Sequence, residues 1–419
     1  MSSLFRKLTL TFLAGMVLVL SGLPQPAIAH GERATEPYIR TRTIHWFDVT
    51  WSTDKLNVND TVTVQGKFRL LSDWPDAVTK PHLVFLSNGS PGAVLTRVES
   101  YINDIPAQQS TKNLEVGRDY DFKLVMKGRK PGRWHLHPVM NIHGAGAIVG
   151  PGEWVTVSGS DADFKESVTT LHGTRIDDLQ TFGVARVQMW QAGYALIAVA
   201  WLLWWLRRPL IISRWVALQK GREDLLVTRT DDKVAAGMLV LVLLVVIVGY
   251  IRITAEFPQL VPLQGGSLYT PPLPESPKAV AIKLKRAEYD VPGRSMRLSM
   301  EMTNHSNQPL SIGEFTTANL RFINKKLPVA VAAIDPKFPK DLIPGNGLLL
   351  DGDTPLAPGE TRLVKLEATD AAWELERLVS FLSNVDSRTG GLIFFYDATG
   401  KRHISEVYGP IVPVFKKTI

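Results

Sequence analysis

The segment that decides the fold class reads Thr61-Val62-Thr63-Val64-Gln65-Gly66-Lys67-Phe68. Its apolar and polar side chains alternate, which is typical of a β-strand with one face on a core and the other in solvent. The alternation recurs at residues 121–126 and 153–157, and turn signals such as Ser87-Asn88-Gly89 and Pro131-Gly132 separate the runs. Short strands with regular turns predict a sandwich or barrel, which we place at residues 30–180.

A second β-rich domain is predicted at residues 278–419. Residues 297–302 alternate, and a turn at residues 354–360 precedes a further run at 362–366. Residues 371–382 have helical spacing and predict a helical insertion. Residues 258–277, before this domain, include Pro271, Pro272 and Pro274, so we expect an irregular linker there. The fold class is therefore mainly β.

Two apolar segments, residues 187–206 and 234–251, separate the predicted β-domains and contain no charged residue. Each is long enough for a helix to cross about 30 Å of hydrocarbon, and aromatic residues near the ends suit a membrane interface. The alternative is a pair of buried helices in a soluble protein. The loop between them, residues 207–233, is rich in Arg and Lys, which indicates the cytoplasmic side.

The start of the chain has the features of a secretory signal peptide. Arg6 and Lys7 precede an apolar run, and Ala27-Ile28-Ala29 matches the small-residue pattern of a cleavage site. Cleavage would remove residues 1–29, leave 390 of the 419 residues and expose both β-domains outside the cytoplasm. A retained membrane anchor is the alternative.

The composition excludes several classes of site and partner. The chain has no cysteine, which excludes disulfides, iron–sulfur clusters, thiolate zinc sites and blue-copper sites with a cysteine ligand. The net charge of +7 is spread along the chain without a strong cluster, so no nucleic-acid partner is predicted. The nucleophile-elbow, zincin, P-loop and dinucleotide-binding motifs are absent from the sequence.

Three histidines form the candidate metal site. Cleavage after Ala29 would make His30 the first residue, with a free α-amine beside its imidazole. His135 and His137 are two residues apart and would point to the same face of a strand. Four nitrogen ligands suit copper, although an isolated His-x-His pair is also common on surface strands. Glu32 is a candidate to orient a ligand imidazole or accept a proton, with a solvated carboxylate as its alternative.

Other histidines carry weaker signals. His45 is a candidate ligand for a second metal, and the alternative is a core histidine packed beside Trp46. The remaining histidines are isolated in the sequence and are interpreted as structural: His82, His143, His172, His305 and His403.

Several motifs together resemble the B subunit of the particulate copper monooxygenases, the membrane-bound methane, ammonia and short-alkane monooxygenases. The N-terminal ones are His30-Gly31-Glu32, Arg42-Thr43-Ile44-His45-Trp46-Phe47-Asp48, Gly66-Lys67-Phe68, Asp73-Trp74-Pro75, Pro131-Gly132-Arg133-Trp134-His135-Leu136-His137 and Val149-Gly150-Pro151-Gly152-Glu153-Trp154. The likeness continues through Arg207-Arg208-Pro209, Val291-Pro292-Gly293-Arg294, Leu356-Ala357-Pro358-Gly359-Glu360-Thr361 and Asp370-Ala371-Ala372-Trp373-Glu374. It extends over essentially the whole mature chain.

The resemblance implies two periplasmic cupredoxin-like domains joined by two transmembrane helices, in a bacterial inner or intracytoplasmic membrane. It implies assembly with the A and C subunits as a trimer of heterotrimers, contact with membrane lipid, and a quinol as electron donor. The family's copper site maps onto His30, His135 and His137. Some methane-oxidising members carry another copper near the histidine that matches His45, but the second histidine expected for it is Arg69 here; His403 is a weak substitute.

The implied function is oxidation of ammonia, methane or a short alkane with dioxygen, by a complex in which this chain binds copper. A second hypothesis is a noncatalytic copper-binding or structural subunit, with oxygen insertion in a partner subunit. A third, a free periplasmic copper carrier with a membrane tail, fits poorly with two spanning helices and a large second domain.

Overall fold

The computed structural model describes residues 41–107, 109–170, 173–209, 211–256, 266–369 and 387–415. Strands make up most of its regular structure, so the predicted mainly β class is confirmed. The chain divides into two compact units. One contains the β-rich residues up to Phe164 and from Gly266 onward, and the other runs from Lys165 to Gly265 and holds the long helices.

The N-terminal β-region is a sandwich of two sheets. Its strands are β1 (Ile44–Trp51), β2 (Lys55–Asn57), β3 (Thr61–Leu70), β4 (Leu83–Gly89), β5 (Leu95–Ile102), β6 (Ile105–Pro106), β7 (Ser110–Lys112), β8 (Asp119–Gly128), β9 (Gly132–Ile142), β10 (Gly146–Val149) and β11 (Glu153–Ser158). One sheet has the order β1-β3-β8-β5-β6. The other has β7-β4-β9-β11-β2 in order, and β10 pairs with β9.

The alternation seen in the sequence produces the core between these sheets. On β3, Val62, Val64 and Phe68 are fully buried while Thr61 and Gln65 face outward. Leu136 of β9 comes from the facing sheet and joins the same apolar cluster. Burial of an apolar side chain of this size contributes about 1.5–3 kcal/mol, so the shared core holds the two sheets together.

The C-terminal β-region is built in the same way. Its strands are β15 (Val280–Asp290), β16 (Ser295–Asn304), β17 (Ser311–Thr317), β18 (Leu320–Ile323), β19 (Leu348–Asp351), β20 (Thr361–Thr369), β21 (Arg388–Tyr396), β22 (Arg402–Pro410) and β23 (Val412–Val414). The two sheets have the orders β19-β20-β16-β15-β23 and β18-β17-β21-β22. A short helix, Pro328–Ala332, follows β18.

The two β-regions share an apolar cluster. Phe47 and Leu71 of the first region pack with Leu392, Phe394 and other side chains of the second. Ion pairs also join the regions. The Asp48 carboxylate binds the Arg402 guanidinium, and the Asp73 carboxylate accepts two hydrogen bonds from Arg388, at 2.9 and 3.0 Å.

The described residues of the second unit form the α-helices α1 (Val184–Trp205), α2 (Ile211–Gln219) and α3 (Arg229–Glu256), and a hairpin of β12 (Val168–Thr169) with β13 (Arg175–Ile176). Helices α1 and α3 are apolar and long enough to cross a membrane, and most of their apolar side chains are exposed. An ion pair of 2.6 Å between Arg186 and Glu256 joins the start of α1 to the end of α3.

Two segments depart from, or lie outside, the sequence expectations. Within the linker predicted at 258–277, residues Ser267–Tyr269 form a strand, β14, which pairs with β7 in parallel. They precede the prolines, and their backbone N–H groups are available for the sheet. The helical insertion predicted at 371–382 lies outside the described residues, as does the signal peptide predicted at 1–29.

Candidate metal centre

Strand β9 brings His135 and His137 together. The strand lies between β4 and β11, and the two side chains share a face because they are two residues apart. Their ring centroids are 4.5 Å apart, and the ring planes meet at 77°. A strand that is paired on both sides is a rigid element, and side chains on it can be held in fixed positions as metal ligands.

The carbonyl of Gly150 sets the tautomer of His137. The Nδ1 atom of the buried His137 ring donates a hydrogen bond of 2.9 Å to this carbonyl oxygen. The proton is then on Nδ1, and Nε2 is the nitrogen that carries the lone pair. Metal-binding histidines are commonly oriented by a backbone carbonyl in this way.

Gly152 makes room for the His137 ring. A Cβ atom at this position would collide with Cε1 of the imidazole, and it would lie 2.8 Å from Nε2. The loop residues Gly150, Pro151 and Gly152 are all buried, so they form a tight wall around one side of the ring. A tautomer set by a carbonyl and a ring held by its surroundings make His137 suitable as an imidazole ligand of copper.

Trp154 supports His135 from the neighbouring strand. His135 and Trp154 are paired across β9 and β11, and their rings stack with centroids 4.8 Å apart. The guanidinium of Arg133 lies 4.7 Å from the centroid of the same indole. Burial raises the pKa of the adjacent Glu153 carboxyl, against a hydrogen bond of 2.8 Å from the Trp154 amide.

His45 lies on β1, in the sheet that faces β9. It is buried, and its Nε2 donates a hydrogen bond of 2.8 Å to the carbonyl of Thr41. Burial lowers the pKa of His45 to about 4, and the charge of Arg69, its cross-strand partner, lowers it further. Arg69 is held by Asp119 in a bidentate pair of 2.5 and 2.6 Å. A second copper at His45 remains a prediction.

The other predicted residues lie away from this pair or outside the described part of the chain. His30, Glu32 and His172 lie outside the described residues. His82, His143 and His305 are exposed, and His403 is 3.7 Å from the Asp397 carboxylate. Within the part of the chain that the structure describes, no group of three or more His, Asp or Glu side chains could hold a metal ion. The pair His135 and His137 would need at least one further ligand to hold a metal ion, and their role as ligands stays a prediction.

Gly150, Gly152 and Trp154 were not predicted from the sequence as parts of this site. The Gly-Pro-Gly segment carries only a turn signal, and its contact with His137 arises from the sheet. The resemblance motif that includes Trp154 was the only signal that could have found these residues.

Among solved structures, the crystal structure of the cupredoxin domain of amoB from Nitrosocaldus yellowstonii aligns with 32% of this chain and 98% of its own, at 15% identity and a TM-score of 0.24. Fibronectin(III)-like modules of Clostridium thermocellum CbhA align with 88% of this chain and 95% of their own, at 7% identity and a TM-score of 0.15.

The sequence comparisons cover nearly the whole chain. The Methylococcus capsulatus (strain Bath) protein described as particulate methane monooxygenase alpha subunit is 42% identical over 390 residues, 93% of each chain. The family of monooxygenase B-subunit proteins matches residues 31–415. Together these matches confirm the resemblance found in the sequence, and the chain belongs to the monooxygenase B-subunit family.

Proposed function

We propose that this chain is the copper-binding subunit of a membrane-bound monooxygenase that oxidises ammonia, methane or a short alkane with dioxygen. The single observation that supports it best is the imidazole pair on β9, with the His137 tautomer set by Gly150 and the ring enclosed by Gly152. Family membership supports the reaction class.

The copper ligands in this proposal are the α-amine and imidazole of His30 with the imidazoles of His135 and His137. Copper bound there would supply reductive activation of dioxygen for insertion of oxygen into a C–H or N–H bond. The predicted cleavage after Ala29 brings His30 into the proposed set, and strand β9 would supply the other two nitrogens.

The surrounding residues would keep the ligands in place. The Gly150 carbonyl accepts a hydrogen bond from Nδ1 of His137, so in the neutral ring the lone pair that would bind metal is on Nε2. Trp154 restricts rotation of the His135 ring by stacking on it. Because neither ring has to be ordered when copper arrives, the site loses less side-chain entropy on binding.

The remaining proposals concern the setting of the site. Helices α1 and α3 cross a bacterial inner or intracytoplasmic membrane, with both β-regions on the periplasmic side. The exposed apolar faces of these helices contact lipid and the partner A and C subunits, in a trimer of heterotrimers. A membrane quinol supplies electrons.

The test is His137→Gln in the intact, detergent-purified complex. We expect loss of the copper signal of this subunit in electron paramagnetic resonance and loss of oxidation of ammonia and methane. The matched control is His143→Gln, which changes an exposed histidine just after the same strand and should retain copper and activity.

Three results would contradict the proposal in different ways. Copper retained in full by His137→Gln would refute the copper site. Copper lost with activity retained would favour the noncatalytic subunit, with oxygen insertion in a partner. Purification of wild-type protein as a lone monomer would favour the free copper carrier.

The second copper needs its own experiment. His45→Gln should lower the copper content of the complex by one ion per subunit if His45 is a ligand. An unchanged copper content would show that His45 is a buried core residue, with its imidazole hydrogen-bonded to the Thr41 carbonyl.

A further inference from the structure

The peptide plane between Val149 and Gly150 lies in the loop beside His137. Its N–H donates a hydrogen bond of 2.8 Å to the carbonyl of Pro138. The next carbonyl along the chain, that of Gly150, accepts the hydrogen bond from Nδ1 of His137. The position of the acceptor for the imidazole therefore depends in part on the orientation of this neighbouring peptide plane.

The carbonyl of the same peptide is held from the other β-region. Asn319, in the turn between β17 and β18, donates a hydrogen bond of 2.9 Å from its side-chain amide to the Val149 oxygen. Both polar groups of this peptide are thus hydrogen-bonded, the N–H to the Pro138 carbonyl and the oxygen to the Asn319 amide. A rotation of the plane would break both hydrogen bonds.

A hydrogen bond from outside the loop matters here because residue 150 is glycine. At Gly150 a Cβ atom would lie 2.8 Å from Cγ of Pro138 and 3.0 Å from Cδ2 of Trp46, so the close packing leaves no room for a side chain. Glycine has more backbone freedom than any other residue. Close packing therefore requires glycine at position 150, and glycine restricts the backbone little. The hydrogen bond from Asn319 adds a restraint from outside the loop.

The turn that presents Asn319 is itself in an unfavourable conformation. Ala318 and Asn319 both have positive φ, 47° and 69°, in a two-residue connection of β17 to β18. Alanine is disfavoured there, and such strain persists only where the surroundings determine the conformation. The hydroxyl of Thr317 donates a hydrogen bond of 2.7 Å to the Gly390 carbonyl and fixes the turn on β21.

We propose that Asn319 is a positioning residue of the copper site, through which the C-terminal β-region fixes the orientation of the His137 imidazole. It acts through the Val149–Gly150 peptide and does not touch the metal. This inference rests on the proposed copper site, and it gives the second β-region a role in that site beyond packing.

The test compares Asn319→Gly with Asn59→Gly in the intact complex. Glycine suits a positive φ, so the first variant removes the amide and leaves the turn intact. Asn59 is a matched control because it has a φ of 76° and its amide donates a hydrogen bond of 2.7 Å to the carbonyl of Asp163 instead. Asn319→Asp keeps the side-chain size but lacks the donor, so it should behave like Asn319→Gly.

Two readouts are needed. The first is the copper affinity and the paramagnetic resonance parameters of the bound Cu(II). We expect roughly 10-fold weaker binding and shifted parameters, the lower end of the range for residues behind a ligand. The second is amide hydrogen exchange of Val149, Gly150, Gly152 and Glu153 in copper-free complex, which should become faster in both Asn319 variants and stay unchanged in Asn59→Gly.

The results separate this inference from the function on which it rests. A copper signal that depends on His137 but is unchanged in Asn319→Gly would overturn the inference alone. A copper signal that is indifferent to His137→Gln in the same preparation would overturn the proposed site and the inference with it.

Discussion

At the scale of single residues, the fit between Gly152 and His137 is the most sensitive point of the candidate site. The imidazole occupies the space of a missing side chain, and its Nδ1 is bound to Gly150 on the same loop. The ring therefore has one position, decided by backbone atoms. A change of one methyl group in the loop should act on the metal site before it acts on the fold.

We predict that Gly152→Ala weakens copper binding by at least about 10-fold, because the added methyl group displaces the His137 ring. Overpacking of this kind also costs about 1–3 kcal/mol of folding stability. Copper titration of the purified complex measures the first effect. The control is Gly345→Ala, where a Cβ atom would meet open space. Equal copper affinities in the two variants would show that the ring is not confined as described.

The sequence predicted this site in part. His135 and His137 could be chosen because a two-residue spacing on a strand has a fixed geometric meaning. Gly152 and Asn319 could not be chosen from spacing, because their contacts join residues 15 or more positions apart and depend on the packing of whole sheets. His45 was ambiguous for the same reason: its burial and its Arg69 neighbour are properties of the pairing between β1 and β3.

At the scale of elements, Asp231 ties the end of α1 to the start of α3. Its buried carboxylate accepts hydrogen bonds from the Trp204 indole at 3.0 Å and from Arg208 at 2.9 Å. It also accepts one of 2.7 Å from the Thr228 amide, and so caps the first turn of α3. The Asp231 side chain thus joins the two helices and caps the N-terminus of α3.

Asp231→Ala should destabilise the helix pair by about 3 kcal/mol, since removing one partner of a buried ion pair leaves the other charge poorly compensated. A lower thermal unfolding midpoint of the complex in detergent would show it. The neighbouring Asp232→Ala removes an exposed carboxylate from the same helical turn and should change stability by less than about 0.5 kcal/mol. Similar midpoints for the two variants would refute this role for Asp231.

Helix ends were harder to predict than helix existence. The apolar segments at 187–206 and 234–251 indicated two helices, and α3 begins five residues earlier, at Arg229. The first turn of α3 is charged, so hydropathy does not mark it as part of the helix. The hydrogen bonds between Thr228 and Asp231 cap this turn and stabilise it. Helix α2 lies in a stretch interpreted only as a basic loop, because nine residues are too few for a strong periodic signal.

At the scale of the whole molecule, the two β-regions form one compact unit, joined by a shared apolar cluster and by ion pairs. The alternating strands predicted two β-domains, but the contact between them was beyond prediction. Nothing in the sequence at Phe47 and Leu71 indicates that their partners in the second region lie more than 250 residues away. The side-chain amide of Asn319 also reaches from one β-region to the other, as its proposed positioning role requires.

The membrane topology can be tested with single cysteines, because the natural chain has none. We predict that Lys283→Cys, on the exposed face of β15, reacts with an impermeant maleimide in spheroplasts. Lys220→Cys, after α2, should react only when the membrane is opened, since the basic loop is expected in the cytoplasm. Both positions are exposed, so they are matched in access to solvent. The opposite pattern of labelling would reverse the proposed orientation.

The most direct test of the central claim is to determine the N-terminal residue and the copper content of the membrane-purified protein in one preparation. The proposed site predicts a chain that begins at His30 and binds copper, with nitrogen couplings from the amine and three imidazoles. A chain that keeps residues 1–29 would have no free amine at His30, and the proposed copper site would be contradicted even with the fold intact.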